Sequence, residues 1–279
     1  MLINIKKKFK HWLFTRCPYF AGRYPYFGTG VYFPPDSQLI ARTCQEGIFE
    51  QINLQVALNL LQENETYLDV GANIGLMSVP ILRQRPSVSV LSFEPSTSTW
   101  PYLKQTWKNC SYKNRWHINN SAVGAAAGEV AFFTSFSGND AFGGLRDTRR
   151  GGEMQKVKVA MTTIDQTLVQ IKLAPVGVIK IDVEGAELDV LRGAAECLKR
   201  DRPFILLEWN YSNIKTYKIS PEELLILAQS LNYEVFSIPK LLHADSNASL
   251  KLFMTFTESF LLVPNDADLS EVKLFEFMR

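Results

Sequence analysis

From Gly47 onward, short apolar runs alternate with stretches in which apolar residues recur every three or four positions. Runs of the first kind, bounded by turn residues, mark strands buried on both faces; the second kind marks helices laid across them. Strands are predicted at 67–70, 88–93, 116–123, 178–182 and 204–208, with 233–238 and 259–263 near the end. Helices are predicted over 48–61, 74–85, 100–108, 187–199 and 221–231. This order predicts an α/β fold, a Rossmann-like, doubly wound and mostly parallel sheet. Between 128 and 164 the rhythm breaks into a strand at 130–133, a Gly-rich loop at 137–144 and an alternating strand at 157–160, which together read as a β-hairpin insertion.

Before Gly47 the pattern differs. Residues 1–16 carry Lys6, Lys7, Lys8, Lys10 and Arg16, with Ile5, Phe9, Trp12 and Leu13 at helical spacing. Such a basic helix either lies on an anionic membrane surface or docks its apolar stripe on the protein's own core. Residues 17–33 turn to Tyr, Phe, Gly and Pro and read as an irregular aromatic cap, whose rings either pack or line an acceptor cleft. The chain thus divides into an N-terminal basic helix and cap, 1–45, and an α/β domain, 46–279.

A length of 279 residues allows one large core, and 46% hydrophobic with 21% charged residues is a globular mixture. A formal net charge of +2 demands no nucleic-acid partner. Cys17, Cys44, Cys110 and Cys197 form no Cys-x-x-Cys pair, so neither a zinc site nor a disulfide framework is indicated. With no apolar run near the ~20 residues of a membrane span, the expected location is cytoplasmic, with peripheral membrane contact through residues 1–16 left open.

The chemistry concentrates where strands end. Asp69-Val70-Gly71-Ala72-Asn73-Ile74-Gly75 follows a strand and opens a predicted helix, so small residues bring backbone amides towards a ligand. A dinucleotide site would favour Gly-x-Gly-x-x-Gly; here Asn73 replaces the middle glycine, and Asp69 would repel a pyrophosphate but attract a cationic amino-acid group. Glu94, at the end of the next strand, is placed to accept both hydroxyls of a ribose, and Ser121 and Ala122, on the third, are candidates for an adenine edge.

At Ile179-Lys180-Ile181-Asp182-Val183-Glu184-Gly185-Ala186-Glu187 and the following Val190-Leu191-Arg192-Gly193-Ala194 the chain resembles the FkbM-type methyltransferases. Asp69 to Gly75, Phe93-Glu94-Pro95, Ser121-Ala122-Val123-Gly124, Thr163-Ile164-Asp165 and the run from Pro203 to Glu208 fit the same family in order and spacing. The resemblance implies a class I methyltransferase sheet with an antiparallel final hairpin, S-adenosyl-L-methionine as donor, and a hydroxyl acceptor on a sugar, glycolipid or natural product. On that reading Asp69, Gly71, Ala72, Asn73, Gly75, Glu94, Ser121, Ala122 and Asp182 form the cofactor site, and Asp182, Glu208 and Glu184 are the catalytic candidates.

Alternation along the strand puts Lys180 and Asp182 on one face, and a buried ammonium needs a carboxylate. Asp165, Asp182 and Glu208 are the candidate partners. Glu184 alternatively serves as a helix-start acid. His243, on a late loop, is a candidate base, and the three carboxylates Asp182, Glu184 and Glu208 alternatively hold a divalent cation. The Gly-rich loop is a candidate lid, and Arg146, Arg149 and Arg150 either grip an anionic acceptor or stay solvated. N-methylation and a catalytically silent donor-binding module are the competing functions.

Overall fold

A computed structural model describes residues 2–17, 19–135, 142–150 and 152–267. It begins with helix α1 (Leu2–Arg16), the hairpin β1 (Arg23–Tyr26) and β2 (Thr29–Tyr32), and helices α2 (Gln38–Glu46) and α3 (Gln51–Leu60). Next come β3 (Thr66–Val70), α4 (Ser78–Gln84), β4 (Ser89–Phe93), α5 (Trp100–Asn109), β5 (Trp116–Asn119) and β6 (Ala122–Val123). The long strands β7 (Gly128–Ser135) and β8 (Met154–Thr162) precede α6 (Ile164–Gln170), β9 (Val176–Ile181), α7 (Glu187–Arg192), α8 (Ala195–Asp201) and β10 (Phe204–Glu208). Helices α9 (Tyr211–Tyr217) and α10 (Glu223–Ser230), strand β11 (Tyr233–Ser237), α11 (Asn247–Phe253) and β12 (Ser259–Pro264) follow.

Seven strands form one sheet in the order β11-β12-β10-β9-β3-β4-β5, in which β12 runs antiparallel to both its neighbours. Every residue of β3 and β9 is buried, which explains their unbroken apolar runs: each face of the sheet carries its own apolar core. The mixed α/β, Rossmann-like class is therefore as the strand pattern predicts, and β7 and β8 pair antiparallel as the expected hairpin.

Four boundaries differ from the sequence reading, each for a local reason. The strand expected over 116–123 stops at Asn119, because Asn120 turns its side chain to the Glu94 carbonyl; Ala122 and Val123 then join β8 in a separate three-stranded sheet. The helix expected from Ile74 starts at Ser78, since Asn73 and Gly75 adopt positive φ of 51° and 90°. The helix expected over 187–199 is two, parted at Gly193, where a Cβ would sit 2.1 Å from the Gly124 carbonyl oxygen. The aromatic cap is not irregular: Tyr24 and Tyr26 belong to a hairpin and are buried in the same core as β3, and the Tyr32 amide is bonded to Thr106 of α5.

Helix α2 continues that N-terminal wall. Ser37 caps it by accepting from the Ile40 amide, and its apolar face buries Leu39 and Ile40 against the core. The segment between α2 and α3 thereby reaches the carboxyl ends of the central strands.

Candidate active site

A cavity lies at the carboxyl ends of β3, β4 and β9, where ligands bind in open α/β sheets. It is lined by Asp69 and Gly71 to Asn73, by Glu94, by Ser121 and Ala122, and by Asp182 and Glu184. These candidates from four separate segments thus share one cavity. Leu39 and Phe49 close it from the N-terminal side, a contribution hidden in the sequence because no motif marks them.

Asp69 is fully buried. Trp116 donates to Ser92, which is 2.8 Å from Ser78, and Ser78 donates to Asp69 Oδ2. That relay fixes the carboxylate and leaves Oδ1 buried without a hydrogen-bond partner among the described residues. A buried, unsatisfied carboxylate oxygen in a cavity wall is costly unless a ligand donor meets it. Burial raises the Asp69 pKa, while Lys180 and Ser78 oppose that shift.

Glu94 is held from both sides: the Asn73 amide donates to Oε2 and the Ser96 amide to Oε1, each at 2.8 Å. The left-handed Asn73 aims its amide inward, which explains an asparagine where an ordinary residue would be strained. Burial pushes Glu94 up to about 7, against the pull of the two amides. Each oxygen retains a lone pair, so both can still accept ribose hydroxyls.

The glycines also permit close packing. Gly71, at φ 84°, packs under Asp182: a Cβ there would lie 1.9 Å from the Asp182 carbonyl oxygen. Gly75 does not line the cavity; it packs against the Trp116 ring, where a Cβ would lie 2.8 Å from the nearest ring carbon. Gly71→Ala is therefore expected to lower the unfolding free energy by roughly 2–3 kcal/mol, from left-handed strain plus the forced separation of β3 from the Asp182 turn. Urea unfolding checks this, and a wild-type midpoint would refute it.

Lys180 is buried, with its Nζ 3.0 Å from Asp182 Oδ2. Asp182, Glu50 and Asp69 hold its pKa above the usual lysine value despite burial. Asp182 is thus the partner among the three expected, and Glu50, at the start of α3, was not foreseen. Asp165 lies elsewhere, accepting from the Glu196 and Cys197 amides at the start of α8. Glu208 turns instead to Asn210 and to Arg150, 4.0 Å away.

Asp182, Glu184 and Glu208 place carboxylate oxygens within 4.8 Å of one another. At that spacing like charges repel and a cation is favoured; Arg150 brings one, 3.2 Å from Glu184 and 3.0 Å from the Asn213 side-chain oxygen. Even so, burial and the neighbouring Asp182 push Glu184 up to about 8. Burial together with Asp182, Glu184 and Glu258 raises Glu208 well above the carboxylate range. Glu184 does not start the helix; its φ of 57° precedes it, and Glu187 accepts from the Gly185 amide there. Arg146 lies over the Tyr217 ring and so is not a free anion grip. His243 is exposed, stacked on Phe236 with centroids 5.0 Å apart, and does not line the cavity. Of the predicted lid, residues 137–141 lie outside the described residues; Gly143 lines the donor cavity, and Gly144 pairs with Phe133.

A second cavity, of about 520 Å³, shares Lys180 and Asp182 with the first. Its other charged walls are Glu46, Glu50, Glu208 and Glu258 against Arg42. Five acidic side chains face two cations; burial raises Glu50 and Glu208 above the ordinary carboxylate value, and the cations are paired, Arg42 with Glu46 and Lys180 with Asp182.

Comparison with known proteins shows the family. A family model described as methyltransferase FkbM domain matches residues 69–235, more than half of the chain. The 2-O-methyltransferase NoeI of Sinorhizobium fredii is 26% identical over 180 residues, covering 60% of this chain and 72% of NoeI. Methyltransferase 1 of Beauveria bassiana is 25% identical over 181 residues, covering 58% of this chain and 71% of its own length. Among solved structures, a methyltransferase FkbM from Methylobacillus flagellatus aligns with a TM-score of 0.46 and 16% identity, over 80% of this chain. This chain spans about half of that one, 52%. The buried Asp69 oxygen and the amide-braced Glu94 fit the ammonium and the ribose diol of an adenosyl amino acid, and the chain belongs to the FkbM methyltransferase family, with S-adenosylmethionine as its donor.

Proposed function

We propose that the protein O-methylates a hydroxyl of a neutral sugar, glycolipid or hydroxylated natural product. The observation that carries this reading is the acidic second chamber joined to the donor cavity at Asp182. Both cations of the chamber are already paired with its acids, so a phosphate or carboxylate finds no unpaired cation there among the described residues, and the acids hold an amine as its ammonium, which has no lone pair with which to attack. A neutral hydroxyl meets neither obstacle. The 2-O-methyltransferase activity in the name of NoeI points the same way.

When bound, S-adenosylmethionine supplies an electrophilic methyl on a sulfonium. Asp69 would hold its ammonium, Glu94 its ribose diol, and Ser121 and Ala122 the adenine edge. Lys180 fixes one oxygen of Asp182, and the other would accept the hydrogen bond of the acceptor hydroxyl, orient that oxygen for in-line attack and take its proton as the methyl passes from sulfur to oxygen. Leu39 and Phe49 exclude water from one side of the donor cavity.

Transfer of labelled methyl to a panel of neutral glycosides, hydroxylated natural products and amines tests the proposal. Methylation of hydroxyls is expected; methylation of amines alone, or donor binding with no transfer, would overturn it. Asp182→Asn, which keeps the shape of the side chain, is expected to lower kcat on the order of 10²-fold while leaving donor affinity within a few-fold. An unchanged kcat would remove Asp182 from the reaction.

A further inference from the structure

Helix α1 is the feature that methyl transfer leaves unused. It carries Lys6, Lys7, Lys8, Lys10 and Arg16 and no acidic residue. One side of it rests on the protein: Phe14 meets the Tyr24 ring edge-on with centroids 5.0 Å apart, and Lys10 lies over the same ring. The other side faces solvent. Phe9 and Trp12 stack on each other 5.9 Å apart and are 59% and 51% exposed. Lys6 and Lys8 are exposed on the same helix, and just beyond its end Tyr19 is 92% exposed.

A helix that only covered the core would turn its aromatic rings inward. Here Phe14 serves that purpose and the Phe9–Trp12 pair is held outward among cations. Aromatic rings flanked by lysines match an anionic lipid surface, where the rings enter the headgroup layer and the ammonium groups meet phosphates. A nucleic acid would engage the lysines but offers no apolar layer to an adjacent Phe–Trp stack. A second copy of the chain would bring the exposed Lys6 and Lys8 against themselves. We propose that α1 docks the protein peripherally on an anionic bilayer. No helix among the described residues is long and apolar enough to cross a membrane, so the contact is a surface one. Helix α1 packs on α2, which lends Leu39 to the donor cavity and Arg42 to the second chamber; the docked face is one helix removed from the site.

Co-sedimentation of the full chain with vesicles tests this independently of methyl transfer. Binding is expected to phosphatidylcholine vesicles containing phosphatidylserine and not to phosphatidylcholine alone, and to weaken as salt rises from about 0.15 M to about 0.5 M and the screening length shortens. The double variants Phe9→Ser/Trp12→Ser and Lys6→Gln/Lys8→Gln should each bind about tenfold more weakly or worse, with thermal unfolding unchanged because these side chains touch solvent. No binding to the anionic vesicles, or binding indifferent to both variants, would overturn the proposal. So would a dimer in sedimentation velocity that Phe9→Ser/Trp12→Ser converts to monomer, or retention on RNA without retention on vesicles.

Discussion

Replacing Lys180 with methionine is expected to destabilise the fold by about 3–5 kcal/mol at pH 8, the range for removing one partner of a buried ion pair. The reason is the company Lys180 keeps. Asp182 sits at 3.0 Å, and Glu50 and the fully buried Asp69 both act on it. Methionine fills similar volume, so packing is not the main loss; the carboxylates lose their cation. The folded-state pKa values of Asp69 and Glu50, already raised by burial, then rise further above the unfolded values of about 4. A carboxylate raised in this way binds more protons folded than unfolded, so its penalty is absent below the unfolded pKa and grows as pH climbs towards the folded one. The deficit of Lys180→Met should therefore shrink as pH falls from 8 towards 5. The lysine's own raised pKa works the other way: its stabilisation is complete below the unfolded value of about 10.4 and would be lost only above that, outside the measured window. Urea unfolding at the two pH values decides. A deficit equal at both would mean that lost packing, not unpaired charge, is the cause.

The same residue shows which parts of the site the sequence makes readable. An ammonium in an apolar strand needs a carboxylate, and Asp182, two residues on, lies on the same face; that inference is local. Glu50 is 130 positions away, and its role arises from where α3 begins against β9 and β10, which no periodicity reveals. Asp69 and Glu94 are readable because neighbouring parallel strands place equivalent ends side by side, with Asp69 opposite Ser92 and Val70 opposite Phe93. The relay from Trp116 through Ser92 and Ser78 is not, since each serine resembles any small residue until the sheet register brings them together. The N-terminal hairpin was obscured because Gly and Pro among aromatic residues signal turns, while the strands between those turns are only four residues long. His243 is the converse case: a titratable residue on a late loop admits a catalytic or a merely solvated role, and its exposed position on Phe236 favours the second.

Glu94→Ala is expected to weaken binding of S-adenosylhomocysteine about 10³-fold, the product standing in for the donor's adenosine and amino-acid parts. Two hydroxyl hydrogen bonds to an ionised carboxylate contribute roughly 1.5–3 kcal/mol each, and both vanish. The variant also frees the Asn73 and Ser96 amides that brace Glu94 from either side, loosening the left-handed turn that shapes the donor loop. pH separates these two contributions. Burial holds Glu94 at about 7, and only the ionised form offers acceptors to both hydroxyls. Product affinity should therefore rise with pH up to about 7 and level off above it, with proton release on binding wherever the free carboxyl is still protonated. Calorimetry in buffers of different ionisation enthalpy measures that proton directly. Glu94→Ala should bind weakly at every pH and release none, because the titrating group is gone. Were the pH dependence to survive in Glu94→Ala, the titrating group would have to be another buried acid of the cavity, with Asp69, raised by burial and facing the ammonium, as the first to substitute.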